Sequence, residues 1–84
     1  MALSSPRNGA PDDLRLIGGV TGQAQSSLNA IGVFHFDQIA GWTPAHVAWV
    51  DQYLNLRGRI AAERWVEQAG RLARGESAVL EDAQ

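Results

Sequence analysis

The sequence predicts a small all-α domain, and three observations carry that expectation. Apolar residues recur at helical spacing in Gly22–Ile31, Pro44–Leu54 and Ala62–Arg74. Glycine-bearing turns at Gly18-Gly19 and at Gly58 separate these runs. No stretch alternates apolar and polar residues in the manner of a strand. With 84 residues the chain has room for one domain.

The elements follow in order. Pro11-Asp12-Asp13 opens a short helix, Asp12 to Leu16 or Ile17, with carboxylates where the helix dipole favours negative charge. Gly18-Gly19 interrupts it. A second helix spans Gly22–Ile31; its Ala24, Leu28 and Ile31 lie at i, i+4 and i+7 on one stripe, with Gln23, Gln25, Ser26 and Asn29 turned outward. Gly32 follows where a left-handed C-terminal cap is wanted. Val33–Phe36 leads to a third helix of one or two turns, Asp37–Gly41. Thr43-Pro44 starts the fourth, because threonine accepts from an exposed amide and proline fits the first turn. From Pro44 to Leu54 the apolar residues Val47, Ala48, Trp49, Val50, Tyr53 and Leu54 cover most of the circumference, which places this helix in the middle of the molecule. Asn55–Ile60 is the second glycine-bearing turn. The fifth helix, Ala62–Arg74, sets Trp65, Val66, Ala69, Leu72 and Ala73 against Glu63, Arg64, Glu67, Gln68 and Arg71 on the other face, and Gly75 ends it.

Composition bounds what such a domain can do. Residues 1–10 read as a flexible N-terminal tail, 11–75 as the folded domain, and 76–84 as a flexible acidic C-terminal tail. One core of this size supplies only about 3–5 kcal/mol, and without cysteine there are no disulfides and no thiolate metal sites. Trp42, Trp49, Trp65, Tyr53, Phe34 and Phe36 therefore supply much of the buried area. No apolar run approaches the roughly 20 residues of a membrane helix, and no basic-then-apolar N-terminal segment suggests secretion. The expectation is a soluble cytoplasmic protein without membrane insertion, monomeric or weakly homo-oligomeric. The net charge is −2, and all seven basic residues are arginine. A domain living on phosphate contacts is usually basic, so this balance disfavours nucleic acid, although a local arginine patch can outweigh the total.

Few residues invite chemistry. His35 and Asp37 are close in sequence, and His46 precedes Asp51 by five positions, but neither arrangement has metal-ligand or proton-transfer spacing. Ser26 and Ser27 lack a neighbouring base and read as surface and edge-of-core residues. Gly18, Gly19 and Gly22 follow no strand and precede no lysine, so dinucleotide and phosphate-loop readings fail and turn geometry remains. No catalytic residue, metal or cofactor is expected. Trp65 belongs to a clean apolar stripe, and Trp42 packs between the two halves. For Trp49 and Tyr53 the core is favoured; if exposed, they would mark a partner surface, because tryptophan and tyrosine concentrate at binding hot spots. Arg57 and Arg59 flank Gly58, and Arg64 follows. This is the one basic cluster, either a clamp for phosphate or carboxylate or a solvated turn paired with Glu63 or Asp51. The candidate partner-binding residues are thus Arg57, Arg59, Arg64, Trp49 and Tyr53. The turns themselves comprise Gly18, Gly19, Val20, Thr21 and Gly22, then Arg57, Gly58 and Arg59.

The segments PDDLRLIGGV, LNAIGVFHFDQIAGWTPAHVAWVDQYL and RGRIAAERWVEQAGRLARG carry a resemblance. The chain from Asp12 to Gly75 resembles a compact five-helix tandem helix-hairpin-helix (SAM-like) domain. It is similar to the C-terminal module of the thioredoxin-like subunit of bacterial NADH:quinone oxidoreductase (complex I), a module also found as a tail of some bacterial large-subunit ribosomal proteins. The resemblance does not bring the iron–sulfur cluster or NADH oxidation of that subunit, which reside in a region without a counterpart in this sequence. It implies instead a module appended to large assemblies. One departure stands out: such hairpins usually place two glycines around an apolar residue, and here Gly19 and Val20 are followed by Thr21, with Gly22 one step later. Related domains hold DNA phosphate with hairpin amides and the next helix N-terminus, and a β-carbon at Thr21 together with an uncharged second helix weakens that use. The expected function is a non-catalytic adaptor docking on a protein or assembly, respiratory or ribosomal. Weak, sequence-independent nucleic-acid binding through the hairpins is the alternative.

Overall fold

The computed structural model describes Leu3 and residues 5–78. Five α-helices form, and among the described residues there is no strand: α1 (Gly22–Ala30), α2 (Phe36–Ala40), α3 (Pro44–Tyr53), α4 (Arg59–Ala62) and α5 (Trp65–Ala73). Single 3-10 turns precede them at Arg7–Gly9 and Leu14–Leu16. The all-α, five-helix class is as expected, but the five are drawn differently at both ends of the domain.

At the start, the helix expected over Asp12–Ile17 is only the turn Leu14–Leu16. Its amides are claimed elsewhere: Asp12 N donates to Phe34 O at 2.9 Å and Leu14 N to Gln25 Oε1 at 2.7 Å. With glycines immediately following, too few residues remain to repay helix nucleation. At the other end, the helix expected over Ala62–Arg74 starts only at Trp65 as α5, while a separate short helix, α4, begins at Arg59 within the stretch read as the second turn; the two are divided at Glu63-Arg64, where Arg64 takes a left-handed conformation with φ 57°. The break redirects the chain so that Trp65 is wholly buried, and Gln68 Nε2 donates to the Glu63 carbonyl freed there, at 2.7 Å.

One cap recurs. Gly32, with φ 89°, follows α1; its N–H reaches Asn29 O while Val33 N reaches Leu28 O. This is the paired 5→2 and 6→1 closure that favours glycine. The same closure ends α3 at Asn55 and α5 at Gly75.

The core sits between α2 and α5, which pack along one another. Leu14, Ile17 and Val20 enter from the first turn, Leu28 from α1, Val33 and Ile39 from around α2, and Ile60 and Trp65 from the C-terminal half. The helix expected to be central, α3, is peripheral: Val50 alone is buried, Val47 and Leu54 pack against the core edge, and Trp49 and Tyr53 are 49% and 62% exposed. An apolar circumference thus reflects two different environments, a buried stripe and an uncovered face.

The stretch read as an N-terminal tail is anchored where it is described. Leu3 N donates to Gly32 O at 2.8 Å, Arg7 N to His35 Nε2 at 2.9 Å, and the Arg7 guanidinium bonds the Asp37 carboxylate. Of the acidic C-terminal tail, Glu76 pairs with Arg71 and Arg74, while residues 79–84 lie outside the described residues. Among the described residues no helix is long and apolar enough to cross a membrane.

Candidate functional site

The first hairpin is a four-residue turn, Ile17 to Val20, closed by Val20 N donating to Ile17 O at 3.0 Å. Gly19 stands third in it with φ 98°, a conformation an L side chain resists. Thr21 then caps α1, its Oγ1 accepting from Ala24 N at 3.1 Å. Val20 is buried and anchors the tip.

Side chains from the other half of the chain clasp this turn. Gln68 Oε1 accepts from Gly18 N at 2.8 Å, while Gln68 Nε2 donates to Gly18 O at 3.3 Å. Arg59 Nη2 donates to Gly19 O at 2.6 Å. The Glu63 carboxylate covers Gly19 so closely that a Cβ there would stand 2.0 Å from Glu63 Oε1. That carboxylate is held in turn by Trp65 Nε1 at 2.9 Å and by Arg59 Nε at 3.5 Å.

The second hairpin is closed in a similar way. Gly58, with φ 85°, donates its N–H to both carboxylate oxygens of Asp51, at 3.0 and 2.9 Å. Asp51 is therefore a cap on the hairpin rather than a partner for an arginine. A polar recess of about 210 Å³ separates the two hairpins, with Thr21, Gln23, Ser27, Asn55 and Arg59 on its walls.

The expected basic cluster does not act as one. Arg59 is engaged with Gly19 and Glu63, and Arg64 lies 3.8 Å from Glu67. Arg7, Arg15, Arg71 and Arg74 each face a carboxylate as well. Among the described residues Arg57 is the arginine left without an ion pair or hydrogen bond; it is exposed and holds a left-handed backbone with φ 57°. On α3, Trp49 and Tyr53 stack with centroids 5.2 Å apart and planes 8° from parallel. Both face solvent, correcting the expectation that favoured the core.

The histidines are structural. His35 is buried, accepts from Arg7 N through Nε2, and sets Nδ1 3.5 Å from Asp12 Oδ2, which assigns its proton to Nδ1. The suggested His35–Asp37 pairing does not form; Asp37 turns to Arg7, whose hydrogen bond holds the Asp37 carboxyl below the usual carboxylate range. His46 Nδ1 accepts from Thr43 N at 3.2 Å, part of the α3 cap. Among the described residues no three His, Cys, Asp or Glu side chains gather to hold a metal ion.

Sequence reasoning placed Glu63 and Gln68 on a solvated face and sent Gln25 and Asn29 outward. Glu63 and Gln68 clasp the first hairpin, Gln25 accepts from Leu14 N, and Asn29 Nδ2 donates to Val33 O at 2.8 Å. The Gln68–Gly18 bond joins residues 50 positions apart, so no local pattern could signal it.

Two glycine hairpins, each set between helices and locked together across the molecule, define a helix-hairpin-helix domain. Residues 14–73 match the family described as the RS2/RL21/YNQ2 HHH domain, and the chain belongs to that family. It is 45% identical over 67 residues to large ribosomal subunit protein bL21 of Jannaschia sp., a match covering 80% of this chain and 26% of that protein. It is 49% identical over 67 residues to small ribosomal subunit protein uS2 of Methylobacterium sp., covering 80% of this chain and 19% of that protein. The chain thus spans about a fifth to a quarter of the length of these curated relatives. The respiratory half of the resemblance is not shown by them. No solved structure matches significantly.

Proposed function

We propose that this chain is a small non-catalytic adaptor that docks on a protein surface of a ribosomal assembly in the cytoplasm, with residues 11–75 as the docking unit. The single observation that carries this reading is the internal capping of both hairpins. A phosphate approaching the first turn meets the Glu63 carboxylate, and one approaching the second meets Asp51. Hairpin amides attract anions only while they are unclaimed and uncovered; here Gly18 N and Gly58 N are already bonded by the chain's own oxygens. The relatives, as bL21 and uS2, are by name components of ribosomal subunits, which supports an assembly as the setting.

Two measurements test it. The chain should co-sediment with purified bacterial ribosomal subunits. In an amide chemical-shift titration with a short DNA duplex or RNA hairpin, Gly18–Gln23 and Arg57–Arg64 should not move even at low salt. Salt-sensitive shifts at those residues would install the nucleic-acid alternative, since phosphate contacts release counterions as they form.

A further inference from the structure

We propose that the exposed end of α3 is the docking face, and that it takes a protein segment presenting a carboxylate beside an apolar side chain. This rests on the protein-docking reading above and names the surface and its partner's chemistry. Three features lie close together in the chain there. Trp49 and Tyr53 form a preassembled, near-parallel aromatic ledge open to solvent, which an apolar side chain can cover without reorganisation. Arg57 is the one arginine with no partner among the described residues. Its backbone is held left-handed although it is not glycine, a costly conformation that concentrates at functional positions.

Proximity follows from chain length. Arg57 lies four residues beyond Tyr53, so their Cα atoms are at most roughly 14 Å apart. One standard footprint of about 800 Å² per partner, roughly 16 Å in radius, spans both. Tryptophan, tyrosine and arginine are also the residues that dominate interface energetics.

Charge decides between the classes of partner. Nucleic acid needs several cations along its backbone, and here six of the seven arginines already lie within 4.0 Å of a carboxylate, Arg71 and Arg74 sharing Glu76. A single planar guanidinium suits one carboxylate, which it engages through two parallel N–H bonds. The ledge and the lone cation together therefore fit an acidic, apolar-bearing polypeptide.

The test uses the full chain with Tyr53 replaced by benzoylphenylalanine, irradiated on purified bacterial ribosomal subunits, with Ser26 on α1 replaced as the control. The expected result is crosslinking about tenfold stronger from position 53 than from 26. The product should resist ribonuclease and map to a peptide containing Asp or Glu. Arg57→Glu should cut the yield at least fivefold and Arg57→Lys by less, with the melting temperature of each variant kept at the parent's, which separates loss of the cation from loss of fold. A ribonuclease-sensitive product, equal crosslinking from both positions, or indifference to Arg57→Glu overturns the proposal. Co-sedimentation with any of those results leaves the adaptor function standing and rejects this face; absence of co-sedimentation rejects the function and this face together.

Discussion

Replacing Gly19 by alanine should remove a large share of the domain's stability. Two independent costs add at this position. The backbone holds φ 98°, which a β-carbon disfavours by about 1–2 kcal/mol. The same β-carbon would stand 2.0 Å from Glu63 Oε1, so the carboxylate must swing away. Because that side chain is flexible at its end, the steric clash is relieved cheaply. What is lost is its bond from Trp65 Nε1 and its place beside Arg59. A hydrogen bond to a charged group is worth about 1.5–3 kcal/mol, and partial exposure of Glu63 reduces this to about 1 kcal/mol. The sum is about 2–3 kcal/mol against a total of about 3–5 kcal/mol for a domain of this size. Urea unfolding reads it directly: with a slope of about 1 kcal/mol/M the midpoint should fall by about 2 M or more. Gly18→Ala is the control, since its added carbon meets only the end of Gln68 at 3.2 Å and should cost under about 1 kcal/mol. In a Glu63→Ala background the Gly19→Ala cost should shrink to the backbone part. A midpoint within experimental error of the parent, or an unchanged cost in that background, would refute the clasp.

Further outcomes follow from the same geometry. Trp65→Ala should cost about 3–5 kcal/mol, whereas Trp49→Ala and Tyr53→Ala should each stay within about 0.5 kcal/mol, as exposed side chains do; comparable losses in all three would contradict a peripheral α3. Arg57→Gly should raise stability by up to about 1 kcal/mol, the relief of about 1–2 kcal/mol of left-handed strain less about 0.5–1 kcal/mol of added chain entropy, while weakening docking, and a lower melting temperature would show that the arginine side chain itself stabilises the turn. The Asp37 carboxyl should titrate below its ordinary value, since its hydrogen bond to Arg7 favours the charged form. The sign follows: with the folded value depressed, this contact is present in full above the ordinary aspartate value of about 3.9 and is lost as pH falls through the lower folded value. Because both side chains are more than half exposed, solvent screens the contribution. The Asp37 carboxyl carbon shift followed by NMR against pH checks it, and Arg7→Ala should return the midpoint to ordinary aspartate.

Local signals were legible because their causes are local. Thr43-Pro44 starts α3 and Gly32 closes α1 through rules that operate within one turn, and both stand where the sequence puts them. The apolar stripe of α1 reads correctly for the same reason: Ala24 and Leu28 are buried in the core. Asn55 closes α3 as a glycine would, which its tolerance of left-handed backbone permits. Failures arose where a distant partner overrides local preference. Nothing near Arg64 announces a helix break; the break is imposed by seating Trp65 and by the bonds that Glu63 and Gln68 make across the molecule. Nor can periodicity tell which apolar side of α3 is covered, since that depends on α2 and α5 having already filled the centre. The hairpin residues were identifiable as turns, but their occupation by Gln68, Glu63 and Asp51 was not.

The clasp on the first hairpin also sets an order of events in folding. Its fasteners, Arg59, Glu63 and Gln68, come 40 to 50 residues after the turn they close. Gly18 and Gly19 are synthesised before these side chains, so until the later helices form the turn waits unfastened, its polar groups bonded to water. Contacts of such sequence separation carry a large loop-closure cost and form late. Stabilising the clasp should therefore slow unfolding with little effect on the folding rate, making the hairpin a lock thrown last, when the final helix has seated.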